Sequence, residues 1–402
     1  MRIAYISYEH PLGIAGGGIG TYIGQISRLM ASRGHDIEVF SGHINQNQTL
    51  NIDGYILHLI KSMHSSEFRQ NVLAKFSERQ EAKLFDVIES PEYGADALLI
   101  KKKFPNLPLT VKLHTPSFLV SELNHDKPNL LQKLRFMLGG LLRGKITKPY
   151  WHYHKNSDIE YELFELADSV CSPSNSLKQI TNEAWGEKKI KVIPNPFVPS
   201  KEILAIQQRH DTKIQVSFIG RLEKRKGILD LAKAIPMVLN SGVNVTFSFI
   251  GKPHHSPIKD LPMDEYLKKK LLLFKNDISF KGYIPYHLIP QVLNDTDICI
   301  FPSLWENFPT VCLEAMAAGK AVIGTNNGGM ADMIENGESG ILVPPSSPTK
   351  LAEAIIGLCN DKEVFNRVSI NARKKVLNHY NGEKIGKMVE EFYENAINEY
   401  RN

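Results

Sequence analysis

Cysteine is scarce in this 402-residue chain: there are four cysteines, and no two of them form a C-x-x-C pair. Each lies in an apolar stretch, at Cys171, Cys299, Cys312 or Cys359. Isolated cysteines in such surroundings are typical of reduced thiols in a protein core, whereas disulfide scaffolds and zinc sites need closely spaced ligands. We therefore expect neither disulfide bonds nor a cysteine-ligated metal.

Long hydrophobic runs are also absent, since no window is apolar enough over about 18 residues to predict a transmembrane helix. The first seven residues, MRIAYIS, predict a short strand rather than a signal peptide. With 42% hydrophobic and 23% charged residues, the composition is that of a globular protein. We expect a cytoplasmic location, either free or peripherally on the inner face of the membrane.

A strong net charge is missing too, because the formal net charge is only +5. The charge is uneven, however: the segment from Lys101 to Lys155 has eleven lysines and arginines against two acidic residues. Such a segment can make a peripheral contact with anionic lipid, bind a phosphorylated acceptor, or form a solvated helical surface. No nucleic-acid recognition motif accompanies it, so we expect no nucleic acid as a partner.

Short apolar strands alternate with amphipathic helices along the whole chain. In the first half, strands are predicted at residues 2–8, 36–41, 85–89, 109–114 and 169–172. In the second half, they are predicted at residues 214–220, 243–250, 278–281, 298–301, 321–324 and 340–343. This alternation indicates parallel sheets covered by helices on both faces. The fold class is therefore α/β, with two Rossmann-like doubly wound domains facing a central cleft.

A segment with three prolines followed by polar residues, from Pro194 to Asp211, marks the boundary between the halves. We divide the chain into an N-terminal domain of residues 1–195, a C-terminal domain of residues 196–380, and a last helix within residues 381–402 that crosses back to the first domain. Because ligands of open α/β sheets bind beyond the carboxyl ends of the strands, motifs that follow strands are the candidate sites.

Residues 301–319, FPSLWENFPTVCLEAMAAG, run from a predicted strand through a loop into a helix. Glu306 lies in the loop and Glu314 on the helix, where both carboxylates can accept hydrogen bonds from hydroxyl groups. Pro309 suits the first helical turn. The amides of Thr310 and Val311 then point outwards with the positive end of the helix dipole, which predicts a binding site for a diphosphate.

A second motif, GRLEKRKG at residues 220–227, places cations directly after a strand that ends at Gly220. Arg221 and Lys226 are the candidate phosphate ligands, since arginine can grip two oxygens and lysine acts as a point charge. Lys224 and Arg225 are weaker candidates. Cations at a helix start are unfavourable by up to ~1 kcal/mol, which favours a bound anion over a merely solvated basic surface.

A third motif is the glycine run at residues 16–20, which includes Gly17 and Gly18. Glycines let a ligand approach the backbone, and the helix that follows presents its N-terminus. The spacing is not G-x-G-x-x-G, because Ile23 stands where the last glycine would be, and the alternative is a simple turn. His114 ends another strand, where a lone histidine is as often a core residue as a ligand.

Together, residues 220–227 and 301–319 resemble the signature of the retaining glycosyltransferases of family 4, also called glycosyl transferases group 1, which have the GT-B fold and an E-x7-E motif. The resemblance implies that Glu306 holds donor-sugar hydroxyls and that Glu314 binds the nucleotide ribose. Arg221 and Lys226 would stabilise the charge that grows on the leaving diphosphate. His114 would contact the donor sugar. Further donor contacts are implied for Gly17, Gly18, Gly220, Tyr283, Ile284, Phe308, Thr310 and Val311.

The resemblance implies a retaining hexosyltransferase that uses UDP-hexose, or GDP-mannose as second choice, and a sugar, sugar-phosphate or lipid-linked acceptor. We expect no cofactor and no metal, because Asp295-Thr296-Asp297 precedes a buried strand and is interpreted as a helix end rather than a metal-binding D-x-D. Glu89 and Glu92 end a strand that could face the acceptor. Two alternatives stay open: a nucleotide-sugar epimerase on the same fold, or a non-catalytic nucleotide-sugar-binding subunit.

Overall fold

The computed structural model describes residues 1–14, 17–124, 134–136, 139, 153–207 and 213–401. Part of the basic segment between Lys101 and Lys155 lies outside these ranges, and so does most of its apolar run at residues 131–142, for which the sequence predicts a helix. The chain divides into two compact units. Unit 1 comprises Met1–Cys171, Gln179–Lys191 and Tyr393–Asn402, and unit 2 comprises Ser172–Lys178 and Val192–Phe392.

The first sheet has eight strands among the described residues. They are β1 (Arg2–Ile6), β2 (Asp36–His43), β3 (Gln48–Ile52), β4 (Tyr55–Lys61), β5 (Val87–Pro91), β6 (Leu109–Lys112), β7 (Ser169–Ser172) and β8 (Ile190–Val192). Their order is β3-β4-β2-β1-β5-β6-β7-β8, and only β3 is antiparallel to its neighbour among the pairs from β3 to β7. The chain order reverses between β1 and β5, which is the place where a doubly wound sheet opens a crevice.

The second sheet lies in unit 2 and is parallel throughout. Its described strands are β9 (Ile214–Ile219), β10 (Val245–Ile250), β11 (Ile278–Gly282), β12 (Ile298–Phe301), β13 (Ala321–Thr325) and β14 (Ile341–Val343). The order β11-β10-β9-β12-β13-β14 is that of a Rossmann sheet. Its switch point lies between β9 and β12, the two strands that precede the GRLEKRKG and E-x7-E motifs.

Helices connect the strands in both units. Those described are α1 (Gly18–Ser32), α2 (Ser65–Ala82), α3 (Leu98–Lys103), α4 (Ser117–Asn124), α5 (Ile159–Leu166), α6 (Asn175–Trp185), α7 (Lys201–Ala205), α8 (Ile228–Asn240), α9 (Met263–Lys270), α10 (Ile289–Asn294), α11 (Thr310–Ala317), α12 (Met330–Met333), α13 (Pro348–Asn360), α14 (Lys362–His379) and α15 (Gly382–Arg401). No helix of the described residues is long and apolar enough to cross a membrane.

The second sheet is buried on both faces, because successive residues of its strands enter two separate hydrophobic clusters. On β12, Ile298 and Ile300 pack in one cluster, while Cys299 and Phe301 pack in the other. Helices α8 and α13 contribute to the first cluster, and α11 and α14 contribute to the second. The predicted α/β class with parallel sheets covered on both faces is therefore confirmed for this unit.

Every strand predicted from the sequence is present, with ends that differ by no more than two residues. Strands β3, β4 and β8 were not predicted. Strands β3 and β4 form a hairpin around Asp53-Gly54, a dipeptide that favours two-residue hairpin turns and that could have predicted them. Strand β8 has three residues, too few for a periodic signal. Cys171, Cys299 and Cys312 are buried, and all four cysteines are unpaired, as expected.

Candidate active site

The two strongest motifs meet at the switch point of unit 2. Strand β9 pairs directly with β12, so the loops that follow them lie side by side. Gly227 has a φ of +69°, and a β-carbon there would overlap the carbonyl oxygen of Pro302. The backbone N–H of Leu304 also donates to the carbonyl of Arg225 at 2.9 Å. The GRLEKRKG loop therefore packs closely against the loop that carries Glu306 and is hydrogen-bonded to it.

Glu306 is held in a network of cations from the neighbouring loop. Its Oε1 forms ion pairs with Lys226 and, at 3.1 Å, with Nη1 of Arg225. The hydroxyl of Ser303 donates to the same oxygen at 3.4 Å. Burial alone would raise the pKa of the Glu306 carboxyl, but Lys226, Arg225 and the more distant Arg221 together lower it. Glu306 is therefore an anion at neutral pH and a hydrogen-bond acceptor, not a proton donor.

Arg221 and Arg225 take different positions in this loop. Arg225, the weaker candidate, is largely buried and bridges Glu306 and Glu223, which it contacts at 2.9 Å. The side chain of Arg221 is 54% exposed and makes a 3.3 Å ion pair with Glu223. Arg221 can therefore turn towards a ligand at little cost, whereas Arg225 is committed to fixing Glu306. Residues Lys224–Lys226 form a 3-10 turn rather than a helix start.

Two glycines that the sequence analysis missed set the position of Glu306. The backbone N–H of Gly329 donates to the carbonyl oxygen of Glu306 at 2.8 Å. Gly328 has a φ of +73°, and a β-carbon there would overlap that same oxygen. The sequence Asn326-Asn327-Gly328-Gly329 follows strand β13, so a glycine pair after a strand at the switch point is the signal that could have identified them.

Helix α11 begins where the sequence analysis placed an anion site. Pro309 is the extended residue before the helix, one position earlier than predicted, and its carbonyl accepts the N–H of Cys312 at 3.0 Å. Thr310 and Val311 open the helix and are half-buried. Their N–H groups have no acceptor within the helix, because the first turn has no preceding carbonyls. The positive end of the dipole therefore faces out of the helix here.

Glu314 lies one turn further along α11, on the same helix face as Thr310. Its side chain is buried, and among the described residues its Oε1 has no hydrogen-bond partner. Burial raises the pKa of Glu314 to about 7, partly offset by a hydrogen bond from Tyr286. Side chains of a helix lean towards its N-terminus, which directs this carboxylate towards the open amides. Tyr286 was not among the predicted site residues.

The other predicted residues of unit 2 take different positions. Tyr283 is 71% exposed after β11, and Ile284 packs partly into the core. The carbonyl of Gly282 accepts the N–H of Gly251 at 2.8 Å, while Gly220 donates to Ile250 at 2.9 Å. These hydrogen bonds join the carboxyl ends of the adjacent strands β9, β10 and β11. Phe308 is buried with its ring edge-on to Tyr380 at 5.4 Å, so its side chain serves the core.

The glycine run lies in unit 1, at the start of helix α1. Gly17 is the residue before α1, and Gly18 begins the helix. The carboxylate of Glu9 accepts the N–H of Gly20 at 3.4 Å and is also stabilised by the N–H of Gly17. The carboxylate of Glu9 therefore lies against the first turn of α1, and donor binding by Gly17 and Gly18 stays a prediction. Gly16 lies outside the described residues.

His114 also lies in unit 1 and is 7% exposed. Its backbone N–H donates to both oxygens of Glu92, at 2.9 and 2.8 Å, and its ring meets Tyr22 edge-on at 5.1 Å. Burial, with a contribution from Lys112, lowers the pKa of His114 to about 3. The ring is therefore neutral at physiological pH, and a role in catalysis would have to use the neutral imidazole or the backbone.

The Asp295-Thr296-Asp297 sequence has a structural role. Asp297 accepts the N–H of Gln215 at 2.8 Å and donates its own N–H to the Gln215 carbonyl, which ties the start of β12 to the start of β9. Asp295 follows the end of α10. Among the described residues, no group of three or more histidines, cysteines and acids could hold a metal ion.

Comparison with known proteins places both halves of the chain in related families. A family model described as "Glycosyl transferases group 1" matches residues 200–375, and one described as "Glycosyltransferase Family 4" matches residues 16–201. Among curated proteins, glycogen synthase of Mycobacterium tuberculosis is 22% identical over 410 residues, which cover 98% of this chain and 94% of that protein.

Two solved structures have the same fold over nearly the whole chain. HepE from Anabaena, in complex with UDP, superposes with a TM-score of 0.69 at 19% identity and covers 98% of this chain and 100% of its own. The catalytic domain of starch synthase IV from Arabidopsis thaliana, bound to ADP and acarbose, has a TM-score of 0.72 at 16% identity and covers 99% of each chain. The expected two-domain GT-B fold is confirmed by these similarities.

Proposed function

The chain belongs to the group 1 glycosyltransferases with the GT-B fold, and from this membership we propose that it transfers a hexose from UDP-hexose, without a metal ion and with retention of configuration. GDP-mannose is the second choice of donor. The acceptor is a sugar, a sugar phosphate or a lipid-linked sugar. The residues that carry this proposal are those at the switch point of unit 2.

The observation that carries the proposal is the buried Oε1 of Glu314, which has no hydrogen-bond partner in the part of the chain that the structure describes. Leaving a buried acceptor without a donor costs about 1–3 kcal/mol, so the position favours a ligand that supplies a hydrogen bond. A nucleotide ribose offers two neighbouring hydroxyl donors. The open amides of Thr310 and Val311 lie on the turn just before Glu314, where they suit the diphosphate of the same nucleotide.

Cations next to this helix suit the leaving group. Breaking the bond between the sugar and the diphosphate builds negative charge on the β-phosphate. Arg221, which is half-exposed, is available to bind these oxygens, and Lys226 lies in the same loop. Groups that are fixed before the reaction stabilise this developing charge more than they stabilise the bound substrate.

Glu306 suits the donor sugar and does not suit a nucleophile. An ionised carboxylate accepts hydrogen bonds from sugar hydroxyls, but two cations on its Oε1 reduce its tendency to attack the anomeric carbon. We therefore assign a front-face reaction. The bond between the anomeric carbon and the β-phosphate oxygen breaks, the acceptor oxygen bonds to the anomeric carbon on the same face, and the acceptor's proton passes to the departing phosphate oxygen.

Uridine is the favoured base because a structural neighbour, HepE, was crystallised with UDP and with UDP-glucose. The exposed ring of Tyr283, which follows the joined ends of β9, β10 and β11, is available to stack on a base. These two points support the donor assignment, and a direct comparison of nucleotides tests it.

The test measures thermal stability and donor turnover with UDP-, GDP- and ADP-hexoses, each in EDTA. A nucleotide at one hundred times its Kd stabilises by ~2.7 kcal/mol, so the preferred base is readily identified. We expect UDP to stabilise the protein and UDP-hexose to be consumed when an acceptor is present. Glu306→Ala should lower kcat by at least ~100-fold with UDP affinity retained, while Glu335→Ala, at an exposed acid, should change neither.

Each competing function gives a distinct result. Conversion of the nucleotide sugar to its epimer without any acceptor would identify an epimerase. Binding of UDP with neither transfer nor hydrolysis would identify a binding subunit. Stimulation only by a divalent ion, reversed by EDTA, would remove the metal-independent mechanism.

A further inference from the structure

An unusual surface segment precedes strand β11 in unit 2. Residues 268–275 read KKKLLLFK, with four lysines, three leucines, one phenylalanine and no acidic residue. We name this segment the leucine tip. It comprises the end of α9 and the 3-10 turn Leu272–Phe274. No part of the candidate active site uses it.

The leucines of the tip are divided between core and solvent. Leu271 is 2% exposed and anchors the segment in the hydrophobic core of unit 2. Leu272 and Leu273 are 62% and 93% exposed. Single exposed leucines are common on protein surfaces, but two adjacent ones on a projecting turn expose apolar area that an apolar environment would bury.

The lysines of the tip leave an uncompensated positive charge around these leucines. Lys268 is paired with Asp264 at 3.1 Å and with Glu265 at 2.7 Å. Lys269, Lys270 and Lys275 are exposed, and no ion pair involving them is present among the residues that the structure describes. Three cations therefore flank an apolar projection.

We propose that the leucine tip docks unit 2 on an anionic lipid bilayer, with Leu272 and Leu273 inserted among the acyl chains and the lysines at the headgroups. Exposed leucines combined with lysines are the composition of interfacial membrane anchors, and each lysine near an anionic surface adds about 1 kcal/mol. Two leucines are too small an apolar area for a stable protein interface, which needs about 800 Å² on each partner. A bilayer has no such requirement, because it closes around any small projection.

The position of the tip makes the proposal separable from the proposed function. The tip lies before the first residue of β11, whereas the Gly282 end of that strand adjoins the candidate active site. Five residues of strand span about 16 Å. Substitutions in the tip should therefore leave UDP binding unchanged.

The experiment is co-sedimentation of the full chain with vesicles of equimolar phosphatidylglycerol and phosphatidylcholine, compared with vesicles of phosphatidylcholine alone. We expect the unaltered protein to bind the anionic vesicles. Leu272→Ser with Leu273→Ser should reduce the partition coefficient at least tenfold. The matched control is Leu84→Ser, since Leu84 is 72% exposed in unit 1, and it should partition like the unaltered protein.

A second pair of variants tests the charge. Lys269→Gln, Lys270→Gln and Lys275→Gln together should reduce binding at least tenfold, whereas Lys201→Gln, Lys362→Gln and Lys374→Gln change the net charge equally at exposed sites elsewhere in unit 2 and should have a smaller effect. UDP-induced thermal shifts are measured on every variant and should all match.

Three results would overturn the proposal: no binding by the unaltered protein, equal binding by the leucine variant, or equal losses in the two lysine triples. Elution of the unaltered protein as a dimer that the leucine variant converts to a monomer would also overturn it, by assigning the tip to a second copy of the chain. If the unaltered protein binds the vesicles but does not bind UDP, the result counts against the proposed function alone.

Discussion

The carbonyl oxygen of Glu306 accepts a hydrogen bond of 2.8 Å from the backbone N–H of Gly329. The residue before it, Gly328, has a φ of +73° and leaves no room for a β-carbon beside that oxygen. The loop after β13 thus fixes the backbone of Glu306 from one side, while Arg225 and Lys226 fix its carboxylate from the other. The orientation of Glu306 therefore depends on the loops that follow the adjacent strands β9, β12 and β13.

Gly328→Ala should therefore reduce transfer beyond its cost in stability. A left-handed conformation costs an alanine about 1–2 kcal/mol, and the overlap with Glu306 should displace the loop in addition. The matched control is Gly337→Ala, at a φ of +80° with no described atom within 4 Å of the new β-carbon. Denaturant unfolding should show a lower free energy of unfolding in both variants. Only Gly328→Ala should have a lower kcat, by at least ~10-fold. Equal kcat values would show that Glu306 does not depend on this contact.

Arg221 and Arg225 should give opposite kinetic phenotypes, although they are only four positions apart. Arg221→Ala should weaken UDP binding about tenfold, because a charge-assisted bond to phosphate is lost. Arg225→Ala should leave UDP affinity within about twofold and lower kcat, because Glu306 loses one of its two cations. Calorimetric titration with UDP and steady-state kinetics distinguish the two. A larger loss of UDP affinity in Arg225→Ala than in Arg221→Ala would contradict the assignment.

The sequence was most informative where local pattern and strand order agree. Buried parallel strands are short apolar runs, so β12 was predicted with its observed ends, and the motifs after β9 and β12 were predicted to line a site. The cations Arg221 and Lys226 and the acid Glu306 lie in these loops, and Glu314 lies on the helix that follows β12. Hydrophobic periodicity identifies where the strands end. The sequence then shows which charged groups follow each strand.

Contacts between distant segments could not be predicted in the same way. The preference for Arg221 over Arg225 came from the resemblance to the family motif, which could not show that Arg225 contacts Glu306, 81 positions away in sequence. Tyr286 reaches Glu314 from another loop, and Glu9 reaches the first turn of α1 from the loop after β1. Each of these contacts depends on the packing of side chains across strands, for which a single sequence carries no periodic signal.

Glu314 should make stability depend on pH in a defined window. Its pKa is raised by burial from 4.5 to about 7, so the folded protein keeps a proton that the unfolded chain releases. The contribution of Glu314 to the free energy of unfolding is constant below about pH 4.5, falls as the pH rises towards 7, and is constant above that. The total decrease is about 3 kcal/mol. Glu314→Gln cannot ionise and should lack this decline. Denaturant unfolding between pH 4.5 and 8 compares the slopes, and parallel curves for the two proteins would contradict the raised pKa.

Tyr393 should contribute more to the stability of unit 1 than its position near the chain end suggests. Its hydroxyl donates to Oε2 of the buried Glu89 at 2.7 Å and lies 3.1 Å from the hydroxyl of Tyr5, while Tyr22 donates to the other oxygen of Glu89 at 2.8 Å. Burial raises the pKa of Glu89, and the Tyr393 hydrogen bond opposes that rise. Tyr393→Phe removes this donor, so we expect the free energy of unfolding to fall by about 2 kcal/mol when Glu89 is ionised.

Tyr400→Phe is the matched control, because Tyr400 lies on the same helix, α15, but its hydroxyl bonds to the exposed Asn106 at 3.0 Å. A change within about 0.5 kcal/mol is expected there. The loss in Tyr393→Phe should also shrink as pH falls, since a protonated Glu89 needs fewer donors. Denaturant unfolding of both variants at acidic and neutral pH measures the loss of free energy of unfolding in each variant and its change with pH. Equal losses in the two variants would mean that the buried tyrosine–glutamate network adds no stability beyond the packing of the helix.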